Sequence, residues 1–263
     1  MEKRIHETLQ LEVAGGIATI TLTRPESRNA ISAQMIQETL AAVDEVERSP
    51  AGVLILTGSG NAFCAGMDLV MLQSLAGQSP ERNLEDSRRM AHLFHRLYTF
   101  PKPVIAAVNG AAIAGGCGIA TLADFTIAVP RAKFGYTEVR IGFMPALVSV
   151  YLRRQIGEKA ARDLLLTGRL IEAEEAHRMG LVTEIVAEER LAARAREIAA
   201  TLMAASPISV QRTKHLIVTQ DEEALQHELE RAIRANAEIR STADFREGIA
   251  AFLEKREPKW QGH

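Results

Sequence analysis

Two apolar runs, Val53-Leu54-Ile55-Leu56-Thr57 and Val104-Ile105-Ala106-Ala107-Val108, each feed a loop of small residues. The first loop reads Ala62-Phe63-Cys64-Ala65-Gly66-Met67-Asp68. The second reads Val108-Asn109-Gly110-Ala111-Ala112-Ile113-Ala114-Gly115-Gly116-Cys117-Gly118. Short continuous apolar runs bounded by turn residues read as buried strands, and a helix is expected after each loop. A strand, a small-residue loop and a helix start leave backbone N–H groups free to face an anion. Two such loops side by side could grip one developing oxyanion from both sides.

The rest of the chain extends this pattern. Thr8 to Val13 alternates, Gly15-Gly16 turns, and Ile17 to Leu22 alternates again, which predicts a hairpin. Arg24 to Asn29 is a loop. Ser32 is positioned to cap an amphipathic helix running to about Arg48, with Met35, Ile36, Leu40, Val43 and Val46 on its apolar face, and Pro50 ends it. A polar helical stretch is expected from about Glu81 to Tyr98 and a short helix from Gly116 to Leu122. Phe125 to Val129 reads as a strand, and Lys133 to Tyr136 as a shorter one. Recurring strand, strand and helix units predict an α/β fold. From about Glu188 to Lys255 only helical patterning appears, interrupted at Pro207 and followed by Pro258. This divides the chain into a core over residues 1–190 and a helical region over 191–263.

Charge and composition narrow the function. Lys plus Arg total 31 and Asp plus Glu total 33, a balance that argues against a general nucleic-acid binder. The N-terminal stretch is charged and lacks the apolar core of a signal peptide. No run approaches the ~20 apolar residues of a membrane span, so a cytoplasmic protein is expected. The two cysteines, Cys64 and Cys117, are expected to pack as small apolar residues beneath the loops rather than to pair. His92 and His95 share a helical face without carboxylate or Cys partners at metal spacing and read as surface residues. Ser149 and Ser209 lie in no nucleophile-elbow context.

The wording and order of the two loops resemble the crotonase superfamily, the enoyl-CoA hydratase/isomerase family, and the resemblance runs from Arg24 to Trp260. It implies a right-handed spiral of ββα units with a helical C-terminal region that trimerises, giving a homotrimer or dimer of trimers. It also implies an acyl-CoA thioester substrate and no cofactor beyond the coenzyme A the substrate carries. Matched residue by residue, the oxyanion donors would be the N–H groups of Ala65 and Gly115, with the short helix near Gly116 adding its positive dipole end. Phe134 to Gly142 resembles the family stretch that holds a catalytic glutamate, here Glu138, set among apolar neighbours that would raise its pKa. Read from residues alone, Glu138 could equally be a solvated strand residue paired with Arg140. Arg28 and Ala30 lie in a loop like the one that meets the adenine of coenzyme A. Ala65, Gly66, Met67, Asp68 and Gly115 would line the ligand, and Phe252 and Lys255 resemble the tail that reaches its nucleotide end. The acyl pocket is expected between about Leu72–Tyr98 and Met144–Leu152. Asp124 matches a family aspartate and reads as structural.

One position departs from the hydratase pattern. Hydratases of the family place a second glutamate where this chain has Gly118, and they follow the catalytic stretch with a glycine-rich run where this chain has Met144-Pro145-Ala146-Leu147-Val148-Ser149-Val150. A single glutamate is the isomerase pattern, in which one base removes a proton at C2 and returns it at C4. Hydration by Glu138 alone stays open, as does an acyl-CoA-binding scaffold with weak catalysis.

Overall fold

The computed structural model describes residues 2–263, the side chain of Leu69 excepted. The strands are β1 Glu2–Ile5, β2 Leu9–Ala14, β3 Ile17–Leu22, β4 Val53–Gly58, β5 Ala62–Cys64, β6 Val104–Val108, β7 Ala111–Ile113, β8 Phe125–Ala128, β9 Lys133–Gly135, β10 Ile171–Glu172 and β11 Glu184–Ile185. The helices of the core are α1 Ala33–Arg48, α2 Leu69–Leu75, α3 Pro80–Tyr98, α4 Gly115–Thr121, α5 Ala146–Thr167 and α6 Ala173–Arg178. Towards the C-terminus follow α7 Leu191–Met203, α8 Pro207–Thr219, α9 Glu222–Glu238 and α10 Ala243–Glu254.

The predicted hairpin forms as β2 and β3, in antiparallel register from Leu9↔Leu22 to Ala14↔Ile17. A further strand, β1, pairs outside it, with every residue exposed. From β3 onward the large sheet is parallel through β4, β6, β8 and β11. The Val53–Leu56 and Val104–Val108 runs are buried throughout because helices and the second sheet cover their faces. That second sheet has the order β10-β9-β7-β5.

Chain order explains the two sheets. β4 continues into β5, β6 into β7 and β8 into β9, each pair dropping from the large sheet to the small one before a helix returns. This is the spiral of ββα turns that the family resemblance implies. Its turns stack closely at Gly116, where a Cβ would lie 2.1 Å from Cys64 O. Only a residue without a side chain lets the second loop sit on the first. Cys64 and Cys117 are fully buried and unpaired, as expected, and burial pushes both thiols up to about 12.

Ser32 caps α1 by accepting from Met35 N–H at 3.1 Å. Asp124 accepts from Val104 N–H at 2.7 Å and from Lys214 Nζ at 2.6 Å, so it ties β6 to α8 as a structural residue. The helical region from 191 onward is not uniform in its packing. α7 lies on the large sheet against β4, β6 and β8, whereas α9 packs on α3 and α5, and α10 packs beside the residues around Glu138. α8 leaves Ile208, Leu216 and Ile217 exposed. No helix among the described residues is long and apolar enough to cross a membrane.

Candidate active site

A cleft of about 650 Å³ opens where the two small-residue loops meet. Ala65, Met67, Gly115 and Glu138 line it, with Met90 and Phe94 of α3 on one side and Met144 to Val148 on the other. That is the placement expected between α3 and the start of α5. The first loop is fixed by its neighbours. Asn29 is wholly buried, and its amide donates to Ser59 O and Ala62 O, each at 2.9 Å. Arg24 reaches Ala30 O and Asp68 Oδ2, each at 2.9 Å. A parallel bridge between Ile31 and Met67 completes the clamp, through Ile31 N–H to Gly66 O and Asp68 N–H to Ile31 O.

That clamp corrects one expectation. The N–H of Ala65 donates to Arg28 O at 3.0 Å, so it has no proton left for a ligand. Bridge pairing turns the next N–H but one, that of Met67, away from Ile31. Among the described residues it meets no acceptor, and Met67 lines the cleft. Gly115 N–H likewise has no acceptor among the described residues. The two loops touch: a Cβ on Gly66 would lie 3.0 Å from Ala114 Cβ and 3.8 Å from Gly115 N. Ala114 holds φ +50°, an unfavourable conformation for a residue with a side chain, and its N–H is anchored on Gly135 O at 2.7 Å. The strain sits immediately before the Gly115 N–H and aims it.

Glu138 sits at the start of a short 3-10 helix, Glu138–Ile141, rather than on a strand. It is 8% exposed, and Oε2 has no hydrogen-bond partner among the described residues. Arg140 forms no ion pair with it among the described residues. Burial raises its pKa from 4.5 to about 7, against a small opposing backbone hydrogen bond. A carboxylate with that pKa exchanges protons readily near neutral pH.

Gly118 lies one helical turn beyond Gly115. A Cβ there would stand 2.6 Å from Val148 Cγ1 and 3.0 Å from Phe94 Cζ. The space beside Gly118 is therefore taken by two apolar side chains.

The remaining expected ligand contacts divide. Arg28, Ala30, Asp68 and Phe252 line the cleft. Asp68 Oδ1 accepts from Val70 N–H and Oδ2 from Arg24, bonds that shape the loop. Lys255 ends α10 in a left-handed conformation outside the cleft lining. Sequence reasoning missed a polar cluster at the cleft wall: Arg240 and Asn236, joined to Asp86 and Ser87 of α3. Its signal was available. Asn83, Asp86 and Ser87 fall in helical phase with Met90, Phe94 and Leu97, on the buried face of a helix whose other faces are polar.

Known proteins share this architecture. A family model described as enoyl-CoA hydratase/isomerase matches residues 12–263. The chain is 44% identical to the Thermus thermophilus protein named "Putative enoyl-CoA hydratase", over 94% of this chain and 98% of that one. It is 35% identical to the "Crotonyl-CoA hydratase" of Syntrophomonas wolfei, over 95% and 96% of the two chains. The crystal structure of an enoyl-CoA hydratase/isomerase from Xanthobacter autotrophicus Py2 superposes with a TM-score of 0.88 at 30% identity, covering 96% of this chain and 98% of that one. With the ββα spiral, the paired loops and a match over nearly its whole length, this chain belongs to the enoyl-CoA hydratase/isomerase family, the crotonase superfamily.

Proposed function

We propose that the protein isomerises an enoyl-CoA thioester, moving the double bond from C3–C4 to C2–C3, with Glu138 as its single acid/base. The thioester oxygen lies between the N–H groups of Met67 and Gly115. The ionised Glu138 carboxylate takes a proton from C2. The C–H electron pair forms the C1–C2 double bond, and negative charge passes to the thioester oxygen, where the two N–H donors hold it. Each such donor contributes about 3–4 kcal/mol to the transition state. The enolate then collapses: the C2–C3 double bond forms, and the former C3–C4 pair takes the same proton back from Glu138 at C4. Atoms and charge balance with one base on one face, and the only coenzyme involved is the coenzyme A of the substrate. Arg28, Ala30 and Phe252 would meet that coenzyme.

The observation that carries this reading is the filling of the Gly118 site by Val148 and Phe94, beside one buried carboxylate whose pKa is raised to about 7. Hydration by Glu138 alone is the second reading, and the names of the relatives favour it. Either reaction suits the degradation of fatty acids or related acyl groups. The exposed Ile208, Leu216 and Ile217 on α8 support assembly through the C-terminal helices, as a trimer or dimer of trimers.

The test is turnover of matched 3-enoyl-CoA and 2-enoyl-CoA substrates in deuterated water, followed by mass spectrometry. Conversion of 3-enoyl to 2-enoyl without gain of water is expected, and Glu138→Gln should abolish it. Water added to the 2-enoyl substrate as the main reaction overturns the isomerase reading. Tight acyl-CoA binding with no turnover of either substrate leaves a scaffold.

A further inference from the structure

The wall of the cleft beyond the two loops is not a hydrocarbon surface. Asn236 of α9 lines it and is 5% exposed. Its Oδ1 accepts from Arg240 Nη2 at 2.8 Å and from Ser87 Oγ at 2.5 Å. Arg240 has only donors, so the carboxamide can face it only with its oxygen. The amide group, Nδ2, is thereby turned away from the guanidinium, and it meets no acceptor among the described residues. Arg240 is itself locked. It is 1% exposed, paired with Asp86 at 2.8 Å, and packed 5.6 Å from the Phe143 ring. Its Nε is a buried donor without an acceptor among the described residues.

The position along the cleft follows from α3. The Phe94 ring lies 4.0 Å from where a Cβ on Gly115 would be. Ser87, which holds Asn236, is seven positions earlier on the same helix face, about 10 Å along the axis. The cluster therefore stands on the cleft wall about 10 Å along α3 from the loops that would hold the thioester, within reach of a group remote from it. A pure hydrocarbon there would cover the Asn236 donor without giving it an acceptor, which is unfavourable. Arg240 and Asp86 neutralise each other, so the wall offers hydrogen-bond donors without net charge.

We propose that Asn236 is a specificity residue for acyl groups carrying an uncharged oxygen, a hydroxyl or carbonyl, remote from the thioester, with Arg240 and Ser87 as its positioning residues. This rests on the acyl-CoA reading above. Binding without chemistry separates the two. Saturated acyl-CoA pairs of matched length, with a methyl ketone or a plain hydrocarbon at the far end, are titrated by calorimetry over a series of chain lengths; the ketone oxygen only accepts. The ketone is expected to bind about tenfold more tightly at the length that reaches Asn236. Asn236→Asp keeps an oxygen for Arg240 and Ser87 but replaces the free donor with an acceptor, and should erase that ratio. Asn236→Leu should do the same if it folds. A structural role alone would weaken both ligands and leave the ratio unchanged. Equal affinity within every pair, or a ratio that survives Asn236→Asp, overturns the inference while leaving the acyl-CoA reading intact. Failure of every acyl-CoA to bind overturns both. Tighter binding of a terminal carboxylate than of the ketone refutes the neutral assignment.

Discussion

Replacing Glu138 with glutamine should make the protein more stable in alkali while removing its activity. The reasoning starts from the buried carboxyl, whose pKa rises from 4.5 to about 7 through desolvation. Below about pH 4.5 the carboxyl is protonated whether the chain is folded or unfolded, and it costs nothing. Between 4.5 and 7 the folded state binds a proton that the unfolded state does not, so stability falls as pH rises. Above 7 both states are ionised and the full loss is in place. At about 1.36 kcal/mol per pH unit, the loss amounts to about 3 kcal/mol. Glutamine has nearly the same shape and never ionises. The difference in stability between Glu138→Gln and the parent should therefore be near zero at pH 4.5 and about 3 kcal/mol at pH 8.5, with other titrating groups cancelling because both proteins share them. In a chain of this size that is roughly 6–12 °C in Tm. Thermal and urea unfolding of both proteins at the two pH values measures it. A Glu138→Gln variant that gains no more at pH 8.5 than at pH 4.5 refutes the claim that burial, without a compensating partner, sets the proton affinity of this carboxyl.

Three further outcomes follow from the same geometry. The kcat/KM profile should rise with pH and level off with a midpoint about 7, because Glu138 must be ionised to take a proton; a midpoint near 4.5 means the carboxyl is solvated. Gly118→Glu should not create a hydratase, since even its Cβ meets Val148 at 2.6 Å; a loss of about 1–3 kcal/mol in urea unfolding, without hydration activity, is expected. Arg240→Met leaves Asp86 buried without its partner and should destabilise by about 3–5 kcal/mol, whereas Arg240→Met with Asp86→Leu should recover much of that loss by the same measurement.

Periodicity and residue type made the architecture legible where local physics and tertiary packing agree. The buried runs at Val53 and Val104 read as strands of a covered sheet and Ser32 as the cap of a helix, and both form so. Glu138 stood out through the resemblance of Phe134 to Gly142 to a family stretch, and the chain places it on a 3-10 turn rather than a strand. β1, α2 and α5 were not legible. β1 is an exposed edge, α2 is a single short helix, and the pattern of α5 is broken at Gly157.

What the sequence by itself determined was the fold class, the order of the two small-residue loops, the glycine at position 118 and the carboxylate at position 138. Those features reside in residue types and their order. Tertiary structure alone decided which N–H groups remain free. The choice between Ala65 and Met67 turns on the bond to Arg28 O and the bridge to Ile31, contacts made across more than thirty positions. It also decided that Gly118 is a filled site rather than an empty one, because Val148 and Phe94 arrive there from different helices. The free amide of Asn236 likewise exists only because Arg240 and Ser87 fix the opposite end of its side chain. A hydrogen bond satisfied or left open is a property of assembled neighbours, and no local pattern along the chain encodes it.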